Sequence, residues 1–218
     1  TNHHLPQELP YMSKETRHLL MTMNHDNLET QIAMQCAPLL TGMKISNLLT
    51  VGSRKKQEVL RTFRRTSISC YVLYESGEKT TFLLYRKQKL ESYLVQPQIK
   101  QLMERFGYGC QDPVSILRLV SRRYKAHMEG GRGFPHEIGV LLGYPPEDVI
   151  GFIENNGKNF LCVGYWKVYS NLNECRSIFR RYNHAREHVI HMVSQGMDIA
   201  DILEIYGLKQ YKSMTIGG

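Results

Sequence analysis

The sequence contains no run of about 18 apolar residues, so no membrane-spanning helix is expected. Its opening stretch, with His3, His4, Pro6, Glu8 and Pro10, lacks the basic-then-apolar order of a secretion signal. Residues 1–12 are expected to form a flexible lead-in instead. The signs of a disulfide framework are missing too. Five cysteines make an odd count and none forms a C-x-x-C pair, which argues against a disulfide scaffold and against a structural zinc site. A reducing cytoplasm is therefore the expected location. No internal repeat or low-complexity tract occurs, and tryptophan appears once, as Trp166.

What is present is an ordinary globular balance. The chain has 218 residues, 42% of them hydrophobic and 22% charged, enough for one domain with a substantial core. Residues 13–210 are expected to form that domain, with a flexible tail over 211–218. The net charge of +8 is concentrated in three patches. The first holds Arg54, Lys55, Lys56, Arg61, Arg64 and Arg65. The second holds Arg118, Arg122, Arg123 and Lys125, and the third Arg176, Arg180, Arg181 and Arg186. Such surfaces attract nucleic acid, phosphate ligands or acidic partners. The plainer reading is three solvated helix faces.

Residues 14–35 read as one helix with Ser13 as N-cap. Pro38 and Gly42 then break the chain, a short helix is expected over Ile45–Thr50, and Ser53 caps another over Arg54–Arg65. The β-branched and aromatic run from Ile68 to Tyr74, the turn at Glu75–Glu78 and the run from Thr80 to Tyr85 predict a hairpin. Helices follow near 97–106 and 113–127, the second opening on Asp112-Pro113. Two short helices are expected near 136–142 and 146–155, and a strand pair or bent strand over Phe160–Tyr169. A long helix over 172–195 and a last one over Ile199–Tyr206 complete an α+β fold, mostly helical with a small antiparallel sheet.

Two segments stand apart. The first runs Cys36-Ala37-Pro38-Leu39-Leu40-Thr41-Gly42-Met43-Lys44-Ile45-Ser46-Asn47-Leu48. The second runs from Phe134-Pro135-His136-Glu137-Ile138-Gly139 through Gly143-Tyr144-Pro145 to Gly164-Tyr165-Trp166-Lys167-Val168-Tyr169. It gathers the sole Trp, three Tyr, a His-Glu pair and several Gly, a mixture suited to a pocket with close backbone approaches. Together the two segments resemble an uncharacterised bacterial family, domain of unknown function 3793, over roughly residues 25–195. Where that family usually has Thr-Leu-Ala after the Pro, this chain has Leu39-Leu40-Thr41, and Gln35 stands where His often precedes the Cys. The resemblance implies a compact intracellular protein and brings no established activity and no cofactor.

Several constellations bear on chemistry. Cys36 is a candidate nucleophile with His136 as base, Glu137 or Asn47 as orienting group and Lys44 favouring a thiolate. The alternative is a buried Cys acting as a small hydrophobe. Glu137 and His136 open a short helix after Pro135, where a cap or a carbonyl bond explains them as well as catalysis does. The Ile138–Ile153 stretch has helix-turn-helix spacing, but Pro145, Pro146, Glu147 and Asp148 at the second helix's start would repel a duplex. Nucleic-acid binding is therefore the disfavoured partner reading. Tyr165, Lys167 and Tyr169 alternate with Trp166 and Val168, so one strand face offers stacking rings around a lysine, or else a packed core. His184, Glu187, His188 and His191 share one helix side, read as a polar face rather than a metal site. The expected function is non-catalytic binding of a small anionic or planar ligand, or of a partner protein, in a pocket made by both segments. Ligand contacts are expected from Lys44, Asn47, Tyr165, Trp166, Lys167 and Tyr169. A Cys36-dependent thiol enzyme is the alternative.

Overall fold

The computed structural model describes residues 12–109, 112–131 and 133–207. The expected lead-in, save Met12, and the expected tail lie outside them. The fold is α+β. A three-stranded antiparallel sheet is formed by β1 (Ser46–Gly52), β2 (Ser69–Glu75) and β3 (Lys79–Tyr85), in the order β1-β3-β2. The central strand β3 is buried on both faces. Phe82 and Leu84 enter one core and Leu83 the other, as the two-residue period of a strand requires.

The first core lies between the sheet and four helices: α1 (Lys14–Thr22), α2 (Leu28–Leu40), α9 (Leu172–Ser194) and α10 (Ile199–Ile205). Helix α3 (Lys56–Phe63) adds Val59 and Phe63 to it. The second core lies on the other face, under α4 (Lys87–Leu94), α5 (Pro97–Arg105), α6 (Pro113–Met128), α7 (Glu137–Leu141) and α8 (Pro146–Glu154). A small hairpin, β4 (Cys162–Val163) with β5 (Lys167–Val168), packs through Trp166 and Val168 against Cys175 and Phe179 of α9. No helix among the described residues is long and apolar enough to cross a membrane.

Four local expectations change. The first helix is two, because Asn24 and Asn27 turn their side chains onto nearby backbone N–H groups. Asn24 accepts from Asp26 at 2.9 Å, and Asn27 caps α2 by accepting from Thr30 at 3.0 Å. Helix α2 continues through Pro38 to Leu40, since a proline removes one helical N–H bond while Cys36–Leu40 remain locked in the core. Ile45–Thr50 is not helical. Pairing with β3 from Ser46↔Tyr85 to Gly52↔Lys79 makes it an edge strand and directs Leu49 and Val51 into the first core. Ser53 opens a 3-10 turn without capping it, and its Oγ donates to Ser76 O instead. Helix α4 is an addition the sequence reading lacks.

Candidate functional site

The α7–α8 corner builds one wall. Gly143 takes φ +72 at the turn, a conformation glycine adopts without strain, and a Cβ there would lie 3.4 Å from Ile45 Cγ1. Glu137, at 2% exposure, accepts from Tyr108 Oη and from Arg123 Nη1, both at 2.8 Å. These bonds tie α7 to α6 and to the end of the α5 segment. Burial and this carboxylate both push the Tyr108 phenol upward. His136 precedes Glu137 with its ring 5.4 Å from Phe152 and 6.1 Å from Phe134. Burial lowers its pKa against the opposing pull of Glu137, so the imidazole is neutral at pH 7.

The hairpin builds the facing wall, and Asp148 holds it. This buried carboxylate accepts from Trp166 Nε1 at 2.7 Å, the Tyr169 and Ser170 backbone N–H groups at 2.8 and 2.9 Å, and Ser170 Oγ at 3.2 Å. Cys175 Sγ adds a weak bond at 3.6 Å. Tyr165 and Trp166 occupy the turn between β4 and β5, so the expected strand alternation is confined to Lys167 and Val168. Trp166 stacks on Tyr144 at 5.1 Å and meets Phe179 edge-on at 4.5 Å. Gly164 is required there, since a Cβ would sit 2.3 Å from the Phe179 ring. Tyr165 Oη donates to Asn183 Oδ1 at 3.1 Å. Lys167 Nζ donates to Gly157 O at 2.8 Å and lies over the Phe152 and Phe160 rings. The hydroxyl of Tyr169 is buried without a hydrogen-bond partner among the described residues.

Between the walls is a cavity of about 360 Å³. Tyr124, Phe134, Tyr144, Phe152 and Trp166 supply its aromatic lining, and Leu48, Ile138, Gly139, Leu142 and Val149 most of the rest. His136, Asp148 and Lys167 are the titratable side chains besides the tyrosines. Asp148 already has its oxygens occupied. The other titratable groups on the cavity wall, the tyrosines aside, are Lys167, whose Nζ donates to Gly157 O, and the neutral His136.

The first segment reaches this site from the sheet edge. Lys44 Nζ lies 5.4 Å from the centre of the Tyr144 ring, and Ser46 Oγ donates to Leu141 O. Behind them, Asn47 accepts from Lys44 Nζ at 3.1 Å and donates to Gln35 O at 2.7 Å and to Leu48 O at 2.9 Å. The Asn47 amide also lies 3.7 Å from Cys36 Sγ. Cys36 is fully buried. Burial pushes its thiol up to about 12 despite Lys44 and Asn47, and burial holds Lys44 down to about 8. Among the described residues no hydrogen bond or ion pair joins Cys36 to His136, Glu137 or Lys167.

The basic patches are partly engaged. Asp26 pairs with Arg54 at 2.8 Å and Lys55 at 3.2 Å, Glu75 pairs with Lys56, and Glu137 with Arg123. Arg186 is buried. On α9, His184, His188 and His191 are exposed. His188 Nδ1 meets Tyr206 Oη at 2.7 Å, and Glu187 accepts from the Ser13 N–H. No group of three or more metal-ligating side chains converges among the described residues.

The family model described as "Protein of unknown function (DUF3793)" matches residues 32–203. The chain belongs to this family. The DUF3793 region contains every cavity-lining residue, from Leu48 to Lys167, as well as Cys36 and Lys44. Neither the curated proteins nor the solved structures searched give a match. Sequence reasoning missed Asp148, named only with Glu147 as a carboxylate that would repel a duplex, and Tyr144 and Phe152 as cavity walls. A signal was there: Asp148 precedes Gly151 by three residues and Phe152 by four, which places it on the inner side of α8.

Proposed function

We propose that this protein binds, without turning it over, a small planar ligand carrying an anionic group. The carrying observation is the cavity of about 360 Å³ with five aromatic side chains on its walls and Lys167 as its one lysine. Flat rings stack on such walls, and a carboxylate or phosphate meets the Lys167 ammonium. A cationic ligand fits poorly, because Lys167 already lies over Phe152 and Phe160 at 5.5 and 4.9 Å. Exposed Phe134, Phe160 and Leu161 favour, as a second reading, a partner protein inserting an apolar side chain at the same place. The thiol-enzyme reading has less support, since a buried Cys36 near 12 holds little thiolate. Nucleic-acid binding is weakened by the carboxylates that already engage Arg54, Lys55, Lys56 and Arg123. A reducing cytoplasm suits the four described cysteines, all free thiols.

Trp166 is the sole tryptophan and forms part of the wall, so its emission reports on the cavity directly. Native mass spectrometry of untagged protein shows any co-purified ligand, and titration with 1-naphthoate follows. Saturable quenching is expected, weakened about ten-fold by Lys167→Met as a charge-assisted contact is lost. A bare mass together with unchanged Trp166 emission at millimolar naphthoate would remove the reading.

A further inference from the structure

Four cations are buried among the described residues: Lys44, Lys55, Arg86 and Arg186. A buried charge without a counter-charge costs several kcal/mol. Lys55 has Asp26 at 3.2 Å. The other three have no carboxylate within ion-pair reach among the described residues, and two of them lie by the C-terminal end of α2. Arg86 donates from Nη2 to Leu39 O at 2.7 Å and from Nη1 to Ser67 Oγ at 2.9 Å. The Lys44 backbone N–H donates to Pro38 O, while Asn47 takes its ammonium. Last-turn carbonyls carry partial negative charge that favours cations there.

Arg186 has no such compensation. It stands in the middle of α9, where the backbone carbonyls already serve the helix. At 2% exposure, its Nη2 reaches, among the described residues, only the neutral Asn183 Oδ1, at 3.3 Å, and its Nε is buried with no hydrogen-bond partner among them. The carboxylate of Glu187 is engaged by the Ser13 N–H and lends Arg186 only longer-range attraction. Asn183 Oδ1 accepts from Arg186 and from Tyr165 Oη, which leaves the amide nitrogen as a further donor. The Tyr165 ring covers the guanidinium at 6.0 Å.

We propose that Arg186, Asn183 and Tyr165 hold a small oxyanion, a carboxylate or phosphate group, beneath the β4–β5 turn. All three supply donors, and none supplies a negative charge. A guanidinium edge with a free Nε–H offers the two-point geometry that carboxylates and phosphates accept. The Tyr165 hydroxyl turns from Asn183 to the anion, and the burial that depresses the Arg186 pKa is offset by the counter-charge. The site is separate from the aromatic cavity, whose lining includes none of these three residues. Entry requires the β4–β5 turn to move, which breaks the Trp166–Asp148 bond as well as the two-pair ladder.

The test is thermal unfolding of the full chain in chloride buffer, with inorganic phosphate or acetate replacing chloride at constant ionic strength. Wild type is expected to gain about 4 °C at ten times the dissociation constant of the better anion. Arg186→Met gains nothing, and in chloride it is at least as stable as wild type because an uncompensated charge is gone. Arg186→Lys keeps the charge without the fork and needs about ten-fold more anion. Whichever anion shifts wild type more identifies the oxyanion. Equal Tm values for wild type in chloride, acetate and phosphate would overturn the proposal even if Arg186→Met did not fold. An Arg186→Met protein that responds as wild type does would overturn it too.

Discussion

Replacing Asp148 by Asn tests how the cavity wall is held. In the native protein Oδ1 takes three donors, from Tyr169 and Ser170, and Oδ2 takes the Trp166 indole at 2.7 Å with the weak Cys175 contact. An asparagine keeps one oxygen, which retains the backbone pair. Its amide N–H then faces the indole N–H, donor against donor. A buried donor left unsatisfied costs about 1–3 kcal/mol, and each retained bond loses the gain from a charged acceptor. Removing a buried charge returns part of that, for a net loss of about 3 kcal/mol. Urea unfolding followed by far-UV circular dichroism measures this. With a slope of about 2–3 kcal/mol per molar, the midpoint falls by roughly 1 M. Trp166 emission shifts to the red in native buffer as the turn loosens. A midpoint change under about 0.3 M with unchanged emission would show that Asp148 does not hold the hairpin.

Lys44 carries a pH signature. Its folded value of about 8 lies below the ordinary 10.5, so the unfolded chain holds more protons between those pH values. Stability therefore rises with pH across that window and is lost as pH falls through 8, by at most about 3 kcal/mol. Cys36, raised from 9.0 to about 12, works the other way above pH 9, so the readout is wild type minus Lys44→Met. A difference that stays flat from pH 7.5 to 10 would refute the desolvation of Lys44. For Cys36, iodoacetamide labelling followed by peptide mass spectrometry is expected to be slower than at the half-buried Cys70 and Cys162. Labelling of Cys36 ahead of both, with a rate that drops in His136→Ala, would restore the thiol-enzyme reading.

Much of the architecture was legible in local patterns. The 69–85 hairpin and the Asp112-capped α6 combine periodicity with clear start or turn signals, and the long α9 shows the periodicity alone. Ser46–Gly52 was not legible, because its Leu-Leu-Thr run becomes a strand only when β3 supplies seven paired residues. The structure places the candidate residues in different surroundings. His136, Trp166 and Lys167 line the cavity, whereas Cys36 and Asn47 sit behind the sheet edge and Glu137 is bound to Arg123 and Tyr108.

The sequence by itself determined the α+β class, the family and the two segments in which the unusual residues concentrate, since motifs and periodicity are properties of neighbours along the chain. Only the tertiary structure decided which polar groups are free to act. Asp148 looks like a surface acid until five donors converge on it, and Arg186 looks like a surface base until α9 packs it out of solvent. Burial and partner choice arise from contacts between segments far apart in the chain. They set the charge state and availability of each side chain, which local patterns do not record.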